Sequence, residues 1–431
     1  MFFKKRKKKT FIIGLDGTPF TLLRDYSDEG NIPFLSSLFK DGSFKEMESV
    51  YPTLSSVAWT SFLTGKKPGS HGIFGFIDIE DDLSLFIPNY KNIKTKTLIE
   101  IFAENKKSVL HINLPITYPP PEIEDTYCIS GFIAPKIEKA CFPPDLKDYL
   151  LKEDYIIDLD PWMAREEKKR RDFYQNLFLA TEKRFKICEY LLKKKEFELV
   201  ILHIMEPDRL FHFFIKEEDK LKKYFFFLDG KLKEFIEKNV KDEDELILLS
   251  DHGFTELKKE INVFPFLKNK GMFKLEREDS KELRAIRYDS KAFTITPGRI
   301  YLFKKERFSK AKYFEDEIIR EVEEYLREFS ESEGIKGYFR KEDIFGKKFI
   351  RNAPDFLLIP DTGYDFRADL KNDEIYMDSA LKGTHTFHNA FVFIRGKKIL
   401  KEKIELIDIA PTVLNLSGIK GDYDFDGEVI I

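Results

Sequence analysis

TFIIGLDGTPF, Thr10 to Phe20, opens with a short apolar run and stops abruptly at Asp16-Gly17. That is the pattern of a buried strand running into a loop, with a carboxylate left at its end. Runs of the same kind recur as SVLHINLP, ELVILHIME, DELILLSDHG, PDFLLIP and NAFVFIRG. Helix-like segments lie between them: IPFLSSLFKDGS with a glycine stop, Thr97 to Lys106, a long charged stretch from Ala164 to Lys195, and Glu217 to Asn239. Buried strands alternating with helices predict an α/β fold, a mainly parallel sheet with helices on both faces.

Sheets of that kind bind ligands beyond the carboxyl ends of their strands, so the residues just after each strand deserve reading. They are Asp16, the EPD of Glu206–Asp208, and the DHG of Asp251–Gly253. One stretch breaks the alternation. Residues 258–342 hold SKAFTITPGRIYLF, a two-strand unit turning at Pro297-Gly298, then the amphipathic YFEDEIIREVEEYLREFSE. The expected organisation is a basic tail over 1–9, a core over 10–257 and 343–431, and an inserted α+β subdomain over 258–342, with the sheet resuming at PDFLLIP.

The 431 residues are 42% hydrophobic and 35% charged, with net charge -3, which describes a folded globular chain. No overall basic bias points to nucleic acid. No run approaches the roughly 20 apolar residues of a membrane span. Phe is abundant (43, against 2 Trp) and must fill core. Three scattered cysteines, Cys128, Cys141 and Cys188, make neither a disulfide framework nor a CxxC metal pair, which fits a reducing, cytoplasmic setting. The opening MFFKKRKKKT lacks the apolar length of a signal peptide and reads as a solvated tail. Nothing in the sequence sets an oligomeric state.

Asp251 and His252 pair a hard oxygen with an imidazole at the end of ELILL, which suits zinc or manganese and equally suits a turn. Asp208 and His212 are four apart, so one helical face carries both. His385 and His388 sit in the polar loop LKGTHTFHNAF, from which a third ligand could come. Asp16 is either a helix cap or a further carboxylate ligand. His203 reads as a satisfied core histidine. Together Asp16, Asp208, His212, Asp251, His252 and His385 suffice for two ions with three protein ligands each. Two metals about 4 Å apart can clamp the entering and leaving oxygens of a phosphoryl displacement. YPTLSSVAWTSFLTG, Tyr51 to Gly65, supplies hydroxyls at the start of a helix-like run, where backbone N–H groups favour phosphate.

The motifs FIIGLDG, PTLSSVAWTSFLTGKKPGSHGIFGF, MEPDRLFH, LLSDHGF and KGTH occur in the order seen in the alkaline phosphatase superfamily. They are most similar to its type I phosphodiesterase/nucleotide pyrophosphatase branch, and IELIDIAPTVLNLSGIKGDYDFDGEVI resembles its closing segment. The likeness runs from Thr10 to the C-terminus and is weakest over 258–342. It implies a three-layer αβα fold and a metal-dependent hydrolase of small phosphate esters, with a covalent phosphoseryl intermediate and two divalent ions, Zn²⁺ or alternatively Mn²⁺. By the same resemblance Asp16, Asp251 and His252, with the nucleophile, hold one ion, and Asp208, His212 and His385 hold the other. The nucleophile lies three residues after the motif's proline, which is Ser55, with Ser56 in reserve; Thr53 then caps or turns, and Thr60, Ser61 and Thr64 lie along the helix. His71 reads as structural. One departure stands out. Nucleotide pyrophosphatases carry an Asn-His pair where this chain has Ala58 and Trp59, which weighs against nucleotide diesters and leaves Trp59 as packing. The alternatives are a phosphomonoesterase or a mutase of the cofactor-independent phosphoglycerate mutase kind. A sulfatase lacks its motif here, and a non-enzymatic binding module predicts lost ligands, of which there are none.

Overall fold

The structure is a computed structural model that describes residues 6–277, 280, 282–346 and 348–431. Its chain forms two compact units. Unit one comprises Met1–Lys66, Asn89–Phe254 and His385–Ile431; unit two comprises Lys67–Pro88 and Thr255–Thr384.

Unit one is built on an eight-stranded sheet. Its strands are β1 (Thr10–Leu15), β2 (Gly42–Met47), β3 (Val109–Ile112), β4 (Thr126–Ile129), β5 (Cys141–Phe142), β6 (Leu199–Ile204), β7 (Glu245–Leu249) and, entering later in the chain, Ala390–Arg395. The spatial order is β2, Ala390–Arg395, β7, β1, β6, β3, β4, β5. The four central pairings are parallel, and antiparallel strands close the sheet at both sides. Every residue of β1, β6 and β7 is buried, as expected of strands covered on both faces. Each fully buried Leu, Ile or Phe among them contributes about 1.5–3 kcal/mol of transfer free energy.

The helices that matter for the site are α1 (Ser55–Thr64), α2 (Leu98–Glu104), α3 (Glu167–Lys194), α4 (Glu206–Phe214) and α5 (Glu218–Asn239). Thr97 and Glu100 form a reciprocal cap at the start of α2. Of the anticipated strands, those within SVLHINLP, ELVILHIME, DELILLSDHG and NAFVFIRG join Thr10–Leu15 in this sheet, and helices lie on both faces of it.

Unit two holds a four-stranded antiparallel sheet: β8 (Ala292–Ile295), β9 (Arg299–Leu302), β10 (Ile335–Arg340) and β11 (Phe356–Pro360), in the order β8, β9, β11, β10. The hairpin about Pro297-Gly298 is β8–β9, and the amphipathic helix is α6 (Glu315–Phe329). A buried Asp355 accepts from Lys304, from Lys341 at 2.9 Å and from the Leu302 amide at 2.8 Å, which holds its carboxyl below the usual range against the cost of burial.

Two expectations differ from this arrangement. PDFLLIP does not return the chain to the central sheet. It is β11, paired with β9 and β10. The central sheet resumes only at Ala390–Arg395, which we label β12. Unit two is accordingly wider than 258–342 and includes Lys67–Pro88. The basic segment keeps its solvated character at Lys7 and Lys8 but is tethered. Residues 1–5 lie outside the described residues, but Arg6 pairs with Asp244 at 2.5 Å, Lys7 with Glu198 at 2.9 Å and Lys8 with Glu245. Acidic side chains at the amino ends of the parallel strands draw this stretch onto the sheet. Among the described residues no helix is long and apolar enough to cross a membrane.

Candidate metal and phosphoryl site

The carboxyl ends of β1, β6 and β7 deliver most of the site. Asp16 follows β1, and its amide bonds Ile204 O at 3.0 Å. Gly17 turns the chain away with φ +64°, and a side chain there would meet the Phe254 ring at 2.7 Å. The Gly17 amide donates to Asp251 Oδ1 at 3.1 Å, which ties the loops after β1 and β7 together. Ser55 is the first residue of α1, after the turn Tyr51–Leu54.

Asp16, Ser55, Asp251 and His252 meet in one cluster. Ser55 Oγ donates to Asp16 Oδ1 at 3.3 Å and lies 3.3 Å from His252 Nε2. His252 Nε2 is 3.4 Å from Asp251 Oδ2 and 3.8 Å from Asp16 Oδ1. His252 Nδ1 donates to Gly253 O at 3.1 Å, so the neutral ring presents a bare Nε2. Burial, followed by the nearby His385, pushes His252 down to about 3 and keeps it neutral. Burial and then the charge of Asp16 push the Asp251 carboxyl well above the usual range.

Asp208, His212 and His385 form the second cluster. Asp208 Oδ1 lies 3.4 Å from His212 Nε2 and 3.2 Å from His385 Nε2, and the two ring nitrogens are 3.1 Å apart. His385 Nδ1 donates to Thr53 O at 3.0 Å, which leaves Nε2 bare when the ring is neutral. Burial pushes Asp208 up, but His212, His385 and Arg209 outweigh it and hold the carboxyl well below its ordinary range. The His252 and His385 rings stack at 3.8 Å, so His252 stands between the clusters. Donor atoms of Asp16, Asp251 and His252, and those of Asp208, His252 and His385, lie within 4.8 Å of one another.

These residues fit divalent cations. Among the described residues, Asp208 Oδ1 and Asp251 Oδ2 are buried and have no hydrogen-bond donor. Bare imidazole nitrogens converge on the same spaces, and three carboxylates with three imidazoles are hard and borderline donors suited to zinc or manganese.

The remaining sequence candidates separate cleanly. Ser56 is buried with an unpartnered hydroxyl and makes no bond to Asp16 or His252. Thr53 donates to Val50 O at 3.2 Å, and Thr60 and Thr64 bond back along α1. His388 is exposed beside Glu48. His71 is fully buried and accepts the Ile73 amide at 3.2 Å.

Trp59 and His203 contribute more than their sequence readings gave, and Arg209 had no such reading. Trp59 does more than pack: its indole donates to Asp16 Oδ2 at 2.9 Å. His203 is satisfied, but its partners are that same Oδ2 at 2.8 Å and Asn113 O at 2.8 Å. Arg209 donates to Asp208 Oδ2 at 2.6 Å. Trp59 stands one helical turn from Ser55, a spacing that could have flagged it. His203 owes its place to the sheet register that sets it beside Gly14, which no local pattern reveals.

A large, mostly parallel sheet with helices on both faces is the alkaline-phosphatase-like fold. The chain belongs to the type I phosphodiesterase/nucleotide pyrophosphatase family, whose sequence profile matches residues 10–388, and it is a phosphoric ester hydrolase. Solved structures agree on the fold. Murine ectonucleotide pyrophosphatase/phosphodiesterase 5 is 16% identical, with 96% of each chain covered and a TM-score of 0.58. Phosphonoacetate hydrolase from Sinorhizobium meliloti 1021, in complex with phosphonoformate, is 15% identical over 95% of this chain and 96% of that one, with a TM-score of 0.68. Alkaline phosphatase PafA is 12% identical over 99% and 98%, with a TM-score of 0.66. No functionally curated protein matches.

Proposed function

We propose that this chain is a two-metal hydrolase of phosphodiester type in which Ser55 takes up the phosphoryl group. The observation that carries this reading is the approach of Ser55 Oγ, at the first turn of α1, to both Asp16 Oδ1 and His252 Nε2 at 3.3 Å. Asp16, Asp251 and His252, together with Ser55, would hold one divalent ion; Asp208, His212 and His385 would hold the other. Bound there, such ions lower the pKa of a serine hydroxyl and offset charge on phosphoryl oxygens.

The chain's own groups do the rest. Val57 and Ala58 N–H already donate to Leu54 O, so the Ser55 and Ser56 N–H groups are those that favour an anion at the start of α1. Trp59 and His203 occupy Asp16 Oδ2 and leave Oδ1 toward Ser55. Ser55 Oγ gives up its proton and bonds to phosphorus as one ester oxygen departs as the alcohol, and water then displaces Oγ, returning a proton to it and releasing a phosphate monoester.

Ala58 and Trp59 bear on substrate. No side-chain amide is available at Ala58 to contact a phosphoryl oxygen, which removes one donor to the transition state and weighs against nucleotide diesters as the substrate. EDTA should abolish turnover and Zn²⁺ or Mn²⁺ should restore it, with kcat/KM higher for bis(p-nitrophenyl) phosphate than for p-nitrophenyl phosphate. Undiminished activity without metal contradicts the two-metal reading. A clear preference for the monoester moves the function to a phosphomonoesterase or mutase.

A further inference from the structure

Arg209 follows Asp208 directly on α4, and neighbouring helix residues do not ordinarily face each other. Here the guanidinium folds back onto the carboxylate beside it. Its anchor is Asp158, 51 residues away, which takes Arg209 Nε on Oδ1 at 3.1 Å and Nη2 on Oδ2 at 2.8 Å. That side-on fork fixes the plane of the guanidinium and aims Nη1 at Asp208 Oδ2, 2.6 Å away. Phe132 lies against the guanidinium at 5.3 Å.

The anchor is itself held. Arg184 is fully buried and donates to Tyr155 Oη at 2.8 Å, Ile156 O at 3.1 Å and Ile157 O at 3.1 Å, which are the three residues before Asp158. The same Arg184 donates through Nε to Glu206, the first residue of α4, at 2.9 Å. The loop before Asp158 and the helix that carries Asp208 are thus joined twice, once through Arg184 and once through Arg209.

This geometry makes the two oxygens of Asp208 unequal. A free carboxylate can grip a cation with both. In Asp208, Oδ2 is spent on Arg209, while Oδ1 is buried, has no hydrogen-bond donor among the described residues and faces His212 and His385. We propose that Asp158 and Arg209 act as one positioning unit that presents Asp208 to a divalent ion through Oδ1 alone; this rests on the reading of Asp208, His212 and His385 as ligands. An ion pair that served stability alone would leave metal binding unchanged when broken. A positioning pair changes the affinity of one ion and spares the other, because the Asp16, Asp251 and His252 cluster has its own orienting donors in Trp59 and His203.

The test is Zn²⁺ stoichiometry and affinity, measured by titration against a competing chelator on the full chain. Wild type should bind two ions. Arg209→Ala should weaken one of them about 10–100-fold and leave the other unaltered. Asp158→Ala should do the same to a smaller degree, and the double variant should be no worse than Arg209→Ala. Millimolar guanidinium should restore the weakened ion to Arg209→Ala. Asp158 is a partly exposed loop side chain, so its variant keeps the test open should Arg209→Ala fail to fold. Two ions of unchanged affinity in a folded Asp158→Ala or Arg209→Ala protein overturn the proposal alone, as do additive losses in the double variant. Fewer than two ions in wild type overturn the two-metal reading and the proposal with it.

Discussion

Trp59→Phe should cost this protein about 2.5 kcal/mol, and the reason lies in one hydrogen bond and one ring edge. The indole N–H reaches Asp16 Oδ2 at 2.9 Å in a fully buried site. A hydrogen bond to a charged partner is worth about 1.5–3 kcal/mol. Asp16 Oδ2 keeps His203 as a second donor at 2.8 Å, which places the loss in the lower half of that range. The indole edge also closes against β1: a Cβ added at Gly14 would stand 2.4 Å from Cη2. Shrinking the ring there leaves a void that adds about 1 kcal/mol. Urea denaturation of metal-free protein, followed by far-UV circular dichroism, reads the sum. The chain has only two tryptophans, so Trp162→Phe is the matched control. Trp162 is 64% exposed, and its variant should stay within about 0.5 kcal/mol of wild type. Equal stability of the two variants would refute the claim that Trp59 holds Asp16.

His111 gives a pH prediction away from the metal clusters. It is fully buried on β3, neither ring nitrogen has a hydrogen-bond partner among the described residues, and burial pushes its pKa down to about 3. The unfolded chain takes that proton below pH about 6.5 and the native state does not, so stability is lost as pH falls from there toward 3. His111→Leu should therefore gain about 2 kcal/mol on wild type between pH 8 and pH 5, and parallel pH profiles of the two proteins would count against it. At the second cluster, His385→Ala should lose one of two bound zinc ions while His388→Ala, whose ring is exposed beside Glu48, keeps both; equal metal content in the two removes His385 from the site.

The sheet and its candidate ligands were legible because their signals are local. A buried parallel strand must be apolar along its length, so the Asp or His that ends it stands out, as at Asp16, Asp251 and His252. What stayed hidden depends on distant pairing. PDFLLIP has the composition of any buried strand, and nothing within it says that β9 and β10 are its neighbours. Lys67–Pro88 belongs to unit two through contacts with chain some two hundred residues further on. The groups that orient the carboxylates were hidden for the same reason. His203 reaches Asp16 by register, and Arg209 is aimed by Asp158 from a loop that precedes a separate helix. Lys7 and Lys8 are exposed, as read, but their ion pairs were hidden because the acidic partners, Glu198 and Glu245, lie far along the chain.

The central claim is that Ser55 carries the phosphoryl group. Metal-loaded enzyme should be mixed with a phosphodiester substrate, quenched in acid during turnover, digested and sequenced by tandem mass spectrometry. The account predicts the phosphoryl group on Ser55, still carrying the ester substituent that did not depart, none on Ser56, and neither label nor turnover in a folded Ser55→Ala variant. The same adduct on Ser56, or turnover at the wild-type rate in Ser55→Ala, would contradict it.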